Sequence, residues 1–290
     1  MHPDQPQCAP WGHYDDVDHQ ENPEGAVRHL DYITGVEAVK AYKRETYELL
    51  GVKPGATVLD AGCGAGDDVL TMAQLLKGHG RIIGLDSSTT MLAAAQARAA
   101  GTDLPVAFQL GDVYALELAE DTFDGCRADR LFHHLCEPDR ALRELIRVTR
   151  PGGRIVLFDP DFDASVITSA DTAVTRQVVH AICDRVRAGA ESRNHLACMR
   201  RAGLADIVVI PKTFLFLDYA LGEQMLGIES AVQGLVDQGA VDQAAADLWL
   251  GDLKQRAKDS AYLSMILGFT VAGRKVADLS HNRIALSPRV

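Results

Sequence analysis

Hydrophobic and polar positions along this chain switch repeatedly between a strand-like and a helix-like period. Val36–Leu50 has helical spacing, and Pro54-Gly55 then punctuates the chain before a strand. TVLDAG (57–62) is a short apolar run of strand type, followed by Val69, Met72, Ala73 and Leu76 at helical spacing. RIIGLD (81–86) predicts a second strand, and Met91, Ala94, Ala95 and Arg98 mark the next helix. PVAFQLGD (105–112) and FDGCRADR (123–130) predict the third and fourth strands. Pro138 stands where a helix can start, with Glu137 and Asp139 beside its positive end. Ala141, Leu142, Leu145, Ile146 and Thr149 give that helix its apolar stripe. Arg150-Pro-Gly-Gly153 breaks it, and RIVLFDP (154–160) predicts the fifth strand.

After Asp161 the texture changes. A helical stretch is expected over roughly 168–202, then a long strand at DIVVIPKTFLFLD (206–218), helices near 220–236 and 241–257, and a final strand in AYLSMILGFTVAGRK (261–275). Strand–helix alternation at this pitch predicts an α/β fold, a parallel sheet covered by helices on both faces. The expected organisation is a mobile arm over 1–25 and a single domain over 26–276, ending in a loose tail over 277–290. Its core falls at 52–161, and the helices within 162–257 exceed what a sheet of this size needs, which makes them a candidate substrate lid.

Composition narrows the function classes. The chain has 290 residues, 47% hydrophobic and 24% charged, which is ordinary for a soluble globular protein with a sizeable core. Its net charge of −11 and the lack of any Lys/Arg run argue against a nucleic-acid partner. Six scattered cysteines form no Cys-x-x-Cys pair, against a zinc site or a disulfide framework. The opening MHPDQPQCAPWGHYDD lacks the pattern of a signal peptide, and no apolar stretch is long enough to span a bilayer. The expectation is a cytoplasmic protein with no membrane insertion and no metal.

The chemistry is concentrated at strand ends. Gly62, Gly64 and Gly66 lie between a hydrophobic strand and a helix, where the missing Cβ permits a tight turn and close approach of a ligand. Their Gly-x-Gly-x-Gly spacing differs from the Gly-x-Gly-x-x-Gly of dinucleotide sites, and no Gly-Lys-Ser/Thr follows as in a phosphate loop. Asp86 ends the second strand, 20 residues after Gly66, where a carboxylate can accept both hydroxyls of a ribose. It can equally serve as a helix cap, a role Ser87 or Ser88 could share. Gly111-Asp112 ends the third strand, where Asp112 can accept from an adenine amine and Val113 can face the ring; a turn aspartate is the alternative.

VLDAGCGAGDD, IIGLD, LGDV, RPGGRIVLFDP and the closing FTVAGRK together resemble the class I S-adenosylmethionine-dependent methyltransferases over almost the whole chain. The branch it resembles most includes ubiquinone/menaquinone-type and bacterial natural-product enzymes. The resemblance implies a doubly wound, Rossmann-like sheet of seven strands with an antiparallel last strand and helical lid insertions. It implies S-adenosyl-L-methionine as cofactor and a small-molecule acceptor as partner. It places the acid near the methionine amino group on Asp60 and the loop backbone contacts on Gly62, Gly64 and Gly66. The ribose carboxylate falls on Asp86, with Ser87 and Met91 flanking the adenosine, and the adenine side on Gly111, Asp112 and Val113. Backbone at Arg130 would meet the methionine part. Asp67 and Asp68 either touch the cofactor or cap the next helix.

Methyl transfer from a sulfonium needs alignment and exclusion of water, and a hydroxyl acceptor needs a base titrating near neutrality, which points to histidine. His133 and His134 follow the fourth strand on the cofactor side, although a histidine there can merely pack or cap. In some sugar and phenol O-methyltransferases of this family, a His in this loop and an Asp after the fifth strand serve as base candidates. Those places are His133 or His134 and Asp161 or Asp159 here. Tyr32, in the leader HLDYITG before the first helix, either contacts the cofactor or packs. Trp11 and Tyr14 could reach a neighbouring subunit, so a homodimer is compatible with the chain. Phe214, Phe216, Tyr219, Met225 and Trp249 either line an apolar pocket or fill the core. N- and C-methylation stay open beside O-methylation, and a nicotinamide-dependent oxidoreductase is the rival from another class.

Overall fold

Seven strands form one sheet, and their order places the carboxyl ends of β1 and β4 at the point where the chain reverses direction across it. The structure is a computed structural model and describes residues 16–277. The strands are β1 (Thr57–Ala61), β2 (Arg81–Asp86), β3 (Val106–Leu110), β4 (Phe123–Asp129), β5 (Thr149–Ile167), β6 (Ala205–Phe216) and β7 (Ser264–Arg274), in the order β3-β2-β1-β4-β5-β7-β6. β1 to β5 pair in parallel, and β7 runs antiparallel between β5 and β6. This is the doubly wound sheet with an antiparallel last strand that the motifs imply, and such a sheet opens its ligand crevice beside the reversal.

The helices are α1 (Pro23–Gly35), α2 (Glu37–Leu50), α3 (Asp67–Leu75), α4 (Thr89–Ala99), α5 (Pro138–Val148), α6 (Thr172–Asp184), α7 (His195–Arg201), α8 (Tyr219–Leu226), α9 (Ile228–Asp237) and α10 (Gln243–Lys258). Their starts follow local chemistry. The side chains of Asn22, Ser88, Asp171, Asp218 and Asp242 accept N–H bonds at the first turns of α1, α4, α6, α8 and α10. Among the described residues, no helix is long and apolar enough to cross a membrane.

Apolar cores lie on both faces of the sheet, one around Leu59, Phe123, Leu142 and Leu157, the other around Val58, Val69, Met72 and Ile82. A third core joins α6, α8, α9 and α10 through Trp249, Phe216 and Val178 to Tyr42 of α2 and Phe158 of β5. The later helices thus rest on the open end of the sheet rather than covering its faces.

Five boundaries differ from expectation, the first being β5, which runs Thr149–Ile167 through the Arg150-Pro-Gly-Gly153 expected to break the chain ahead of it. HLDYITG is part of helix α1, started by Asn22 and Pro23, and not a leader that precedes the first helix. The described part of the expected arm, residues 16–25, is packed: Val17 is buried with Ala65 and Met91. Asp18 takes hydrogen bonds from the Ser88 and Thr89 hydroxyls and the Thr89 and Thr90 amides at the start of α4. The helix expected at 220–236 is split at Gly227, whose φ of 61° ends α8, and the 168–202 stretch divides into α6, a turn at 191–194 and α7. Trp11, Tyr14 and residues 278–290 of the expected tail lie outside the described residues.

Candidate active site

A cavity of about 1470 Å³ opens at the carboxyl ends of β1, β2, β3 and β4, roofed by α1 and by the turns before α7 and α9. Roughly 300–1,000 Å³ holds one drug-sized ligand, so this volume admits two small molecules side by side. Gly62, Gly64, Asp86, Ser87, Met91, Gly111, Asp112, Val113, Arg130, His133 and His134 all line it. A smaller hollow of about 450 Å³ between α2 and β6 carries the Glu45–Lys212 ion pair and, of the sequence-marked residues, Phe214 alone.

The glycine loop is built for close approach. Gly62 has φ 70° and Gly64 φ 51°, and a Cβ on Gly62 would stand 2.9 Å from Leu131 Cδ1. Gly64 donates its amide to Asp86 Oδ2 at 2.8 Å, while Ser88 donates to Asp86 Oδ1 at 2.9 Å. The half-buried Asp86 carboxylate is thereby held by the amides of Gly64 and Ser88, with a further bond from the Ser87 amide. Burial raises its pKa, against the amide bonds that lower it. Gly66 plays a different part. It caps α3, and its missing Cβ makes room for Ala95 and Phe108, so it packs behind the wall.

Behind the loop lies a buried ionic network that sequence reasoning did not find. Asp60 and Arg127 occupy facing positions of β1 and β4. Arg127 Nη1 is 2.9 Å from Asp60 Oδ1 and 3.2 Å from Asp68 Oδ2, and its Nη2 is 3.2 Å from Asp129 Oδ2. Lys43 of α2 reaches Asp68 at 2.6 Å and Asp129 at 3.6 Å. Tyr47 donates to Asp68, and Tyr42 donates to Asp129 at 3.1 Å. Burial raises the Asp60 pKa, with Arg127 opposing it. Asp68 goes the other way, because Arg127 and Lys43 together outweigh the burial that would raise it. A buried Arg in a central strand is itself a signal, since such a side chain is almost never enclosed without partners.

The network moves one assignment. Asp60 is 2% exposed and held by Arg127, so it stands one layer behind the cavity; Asp68, Asp129 and Lys43 are the charged groups on the wall there. Asp67 is paired with Arg98 at 2.6 Å, and neither it nor Asp68 caps α3 through a side-chain bond at Gly66.

The histidines sit on a turn at 132–134, just past β4. His133 Nδ1 is 2.5 Å from Asp159 Oδ1, and His195 Nε2 is 2.8 Å from Asp159 Oδ2. Asp159 is fully enclosed. Burial would raise its pKa, but the two imidazoles outweigh that and hold it below the usual carboxylate range. His134 stacks on His133 with ring centroids 3.9 Å apart, and burial lowers its pKa, helped by His133. Asp161 does not join them. Its carboxylate is taken by Arg193, at 2.5 Å and 2.8 Å, and by the Ala164 amide, so of the two aspartates only Asp159 meets the histidines. Tyr32 is 41% exposed and off the wall. His29, Leu30 and Ile33 form the inward stripe of α1, and Tyr32 falls outside it.

The cavity is also lined by the apolar side chains of Phe158, Phe162, Ile182, Phe214, Met225 and Leu226. Phe216 and Trp249 are core instead, and Tyr219 is tied to Glu229. Among the described residues no cluster of three His, Cys, Asp or Glu could hold a metal.

A family profile described as a methyltransferase domain matches residues 52–210, more than half of the chain. The chain belongs to the class I S-adenosylmethionine-dependent methyltransferases. An uncharacterized 37.1 kDa protein of a Streptomyces fradiae transposon, TN4556, is 36% identical over 229 residues, covering 78% of this chain and 66% of that one. A demethylmenaquinone methyltransferase of Desulfitobacterium hafniense is 33% identical over 122 residues, covering 41% of this chain and 48% of its own. The chain thus spans about half to two thirds of the length of these curated relatives. Phosphoethanolamine N-methyltransferase 2 of Haemonchus contortus, solved in complex with S-adenosyl-L-methionine, shares the fold. Its TM-score is 0.59 at 18% identity, over 91% of this chain and 60% of that one. The methyltransferase family takes S-adenosylmethionine, and the glycine-lined floor and the Asp86 carboxylate fit a nucleoside with a ribose.

Proposed function

We propose that this chain moves the methyl group of S-adenosylmethionine to a hydroxyl of a small-molecule acceptor, with His133 as general base. The observation that carries the reading is the 2.5 Å contact between His133 Nδ1 and the enclosed Asp159 carboxylate, on the wall shared with the glycine loop.

Gly62, Gly64, Asp86, Ser87, Met91, Asp112 and Val113 hold the adenosine, and Asp68, Asp129, Lys43 and Arg130 surround the amino-acid end. When bound, the cofactor supplies a methyl on a sulfonium, an intrinsically good leaving group. The chain then has to place the acceptor hydroxyl and take its proton. An ionised carboxylate only accepts, so the Asp159 contact puts the hydrogen of His133 on Nδ1 and leaves the Nε2 lone pair basic. Asp159 compensates the imidazolium that forms. A positioned base of this kind contributes about 100-fold to 10,000-fold, and alignment in a closed cavity contributes several kcal/mol more. The apolar side chains on the cavity wall suit the body of a phenol- or quinol-like natural product.

The experiment is incubation with methyl-labelled S-adenosylmethionine and a panel of phenols, hydroquinones, sugars, amines and activated-carbon compounds. Methyl ethers as the products support the reading. Label found only on nitrogen or carbon removes the hydroxyl assignment. Thermal stabilisation by NAD and not by S-adenosylhomocysteine would remove the cofactor.

A further inference from the structure

Asp159 is held from two sides, and only one side belongs to the proposed base. Its Oδ1 meets His133 Nδ1 at 2.5 Å and the His133 amide at 3.3 Å, and its Oδ2 meets His195 Nε2 at 2.8 Å. His195 opens α7, thirty-six positions from Asp159, and is 1% exposed. No motif marks it in the sequence.

We infer that His195 is a positioning residue for the His133 base: its Nε2–H locks the Asp159 carboxylate so that the other oxygen takes the Nδ1–H of His133. This rests on the reading of His133 as the general base. The tautomers follow from the contacts. A carboxylate accepts and does not donate, so each nitrogen touching it carries a hydrogen. His195 Nδ1 is buried and has no hydrogen-bond partner. A bare lone pair is tolerable there, whereas a second N–H would be a buried donor with no acceptor, so His195 stays neutral. Phe132 packs against the ring in a T-shaped contact with centroids 5.5 Å apart.

The two histidines therefore differ in kind. His133 lines the cavity, where an acceptor hydroxyl can reach it. His195 is a fixed neutral donor that draws charge away from Asp159 and prevents the carboxylate from rotating. Without it, Asp159 would serve His133 alone and hold the His133 proton more tightly. The ionisable groups on the elements packed around this trio are His134 and Arg130 beside His133, and Arg187 after α6. Arg193 with Asp161 and Asp163, Glu191, Cys198 and the Asp139–Arg201 pair lie on the neighbouring elements.

The test is heteronuclear imidazole NMR on the full chain saturated with S-adenosylhomocysteine, which needs no acceptor. In the native protein we expect His133 protonated on Nδ1 and bare on Nε2, and His195 the reverse. His195→Leu should raise the His133 titration midpoint by about half to one pH unit, and His195→Gln, which offers an amide N–H, should restore it. A native His195 protonated on Nδ1, or a midpoint unmoved by His195→Leu, overturns the inference. If His195→Leu does not fold, the native tautomers decide alone. Turnover separates the two readings. A His133→Gln protein with undiminished methyl transfer removes the base assignment and leaves the tautomers of the trio standing.

Discussion

Arg127 and Asp60 face each other across β4 and β1, with Nη1 2.9 Å from Oδ1 and both side chains almost fully enclosed. Two charges taken out of water lose several kcal/mol each in hydration, and only good geometry with further partners returns it. Here Asp68, Asp129 and Thr46 supply those partners to the same guanidinium. Removing Arg127 takes the cation from the buried Asp60 carboxylate, while Asp68 and Asp129 keep Lys43. Arg127→Met should lower stability by about 3–5 kcal/mol, the range for breaking one buried pair. Urea denaturation measures this, and a loss below about 1 kcal/mol would mean that the network is solvated in solution.

Acid should weaken the fold through Asp159 and Asp68. Both have folded pKa values held below the ordinary carboxyl range. The unfolded state therefore binds more protons, and their contribution is full above about pH 3.9 and lost as the pH falls through the lower folded values. Asp60 is raised, so its term has the opposite sign: present at low pH and lost as the pH rises through its folded pKa. Among the described carboxyl groups, those held low (Asp18, Asp68, Asp139, Glu144, Asp159, Glu229 and Asp252) outnumber those raised (Asp60, Asp67, Asp86 and Glu223), so urea midpoints should drop below about pH 4. Asp159→Asn should flatten that drop.

Asp86 holds the Gly64 and Ser88 amides and faces the cavity. Asp86→Ala removes a charged acceptor from the ribose position and also releases the loop. Hydrogen bonds to charged groups are worth about 1.5–3 kcal/mol each, so S-adenosylhomocysteine affinity should fall at least about tenfold. Calorimetric titration checks this, and unchanged affinity would place the nucleoside elsewhere.

Asp18 ties the turn before α1 to the first turn of α4 through Ser88, Thr89 and Thr90. That turn and α1 roof the cavity. Loss of a helix cap costs about 1 kcal/mol, so Asp18→Ala should speed dissociation of S-adenosylhomocysteine about fivefold. Stopped-flow release measures it, with thermal stability as the control.

The elements were largely legible because period and punctuation are local. Strands β1 to β4 and both the Ser88 and Pro138 helix starts stand where apolar runs, Gly, Pro and cap residues put them, whereas β5 runs Thr149–Ile167, past the expected 154–160 at both ends. Partnerships across the fold were not. Asp159 and Asp161 share one face of β5 by the two-residue repeat, so spacing could not choose between them. The choice is made by Arg193, which claims Asp161, and by His133 and His195, which claim Asp159. Lys43 and Tyr42 looked like ordinary residues of an amphipathic helix, and only the docking of α2 brings them to Asp68 and Asp129. Tyr32 stood in the right segment, but the rotation of α1 turns it outward.

The rate of label transfer from S-adenosylmethionine to the best hydroxyl acceptor, in wild type and His133→Gln at equal S-adenosylhomocysteine affinity, tests the central claim most directly. The account predicts a fall of about 100-fold to 10,000-fold. A His133→Gln rate within about twofold of wild type, well inside what a positioned base contributes, would contradict it.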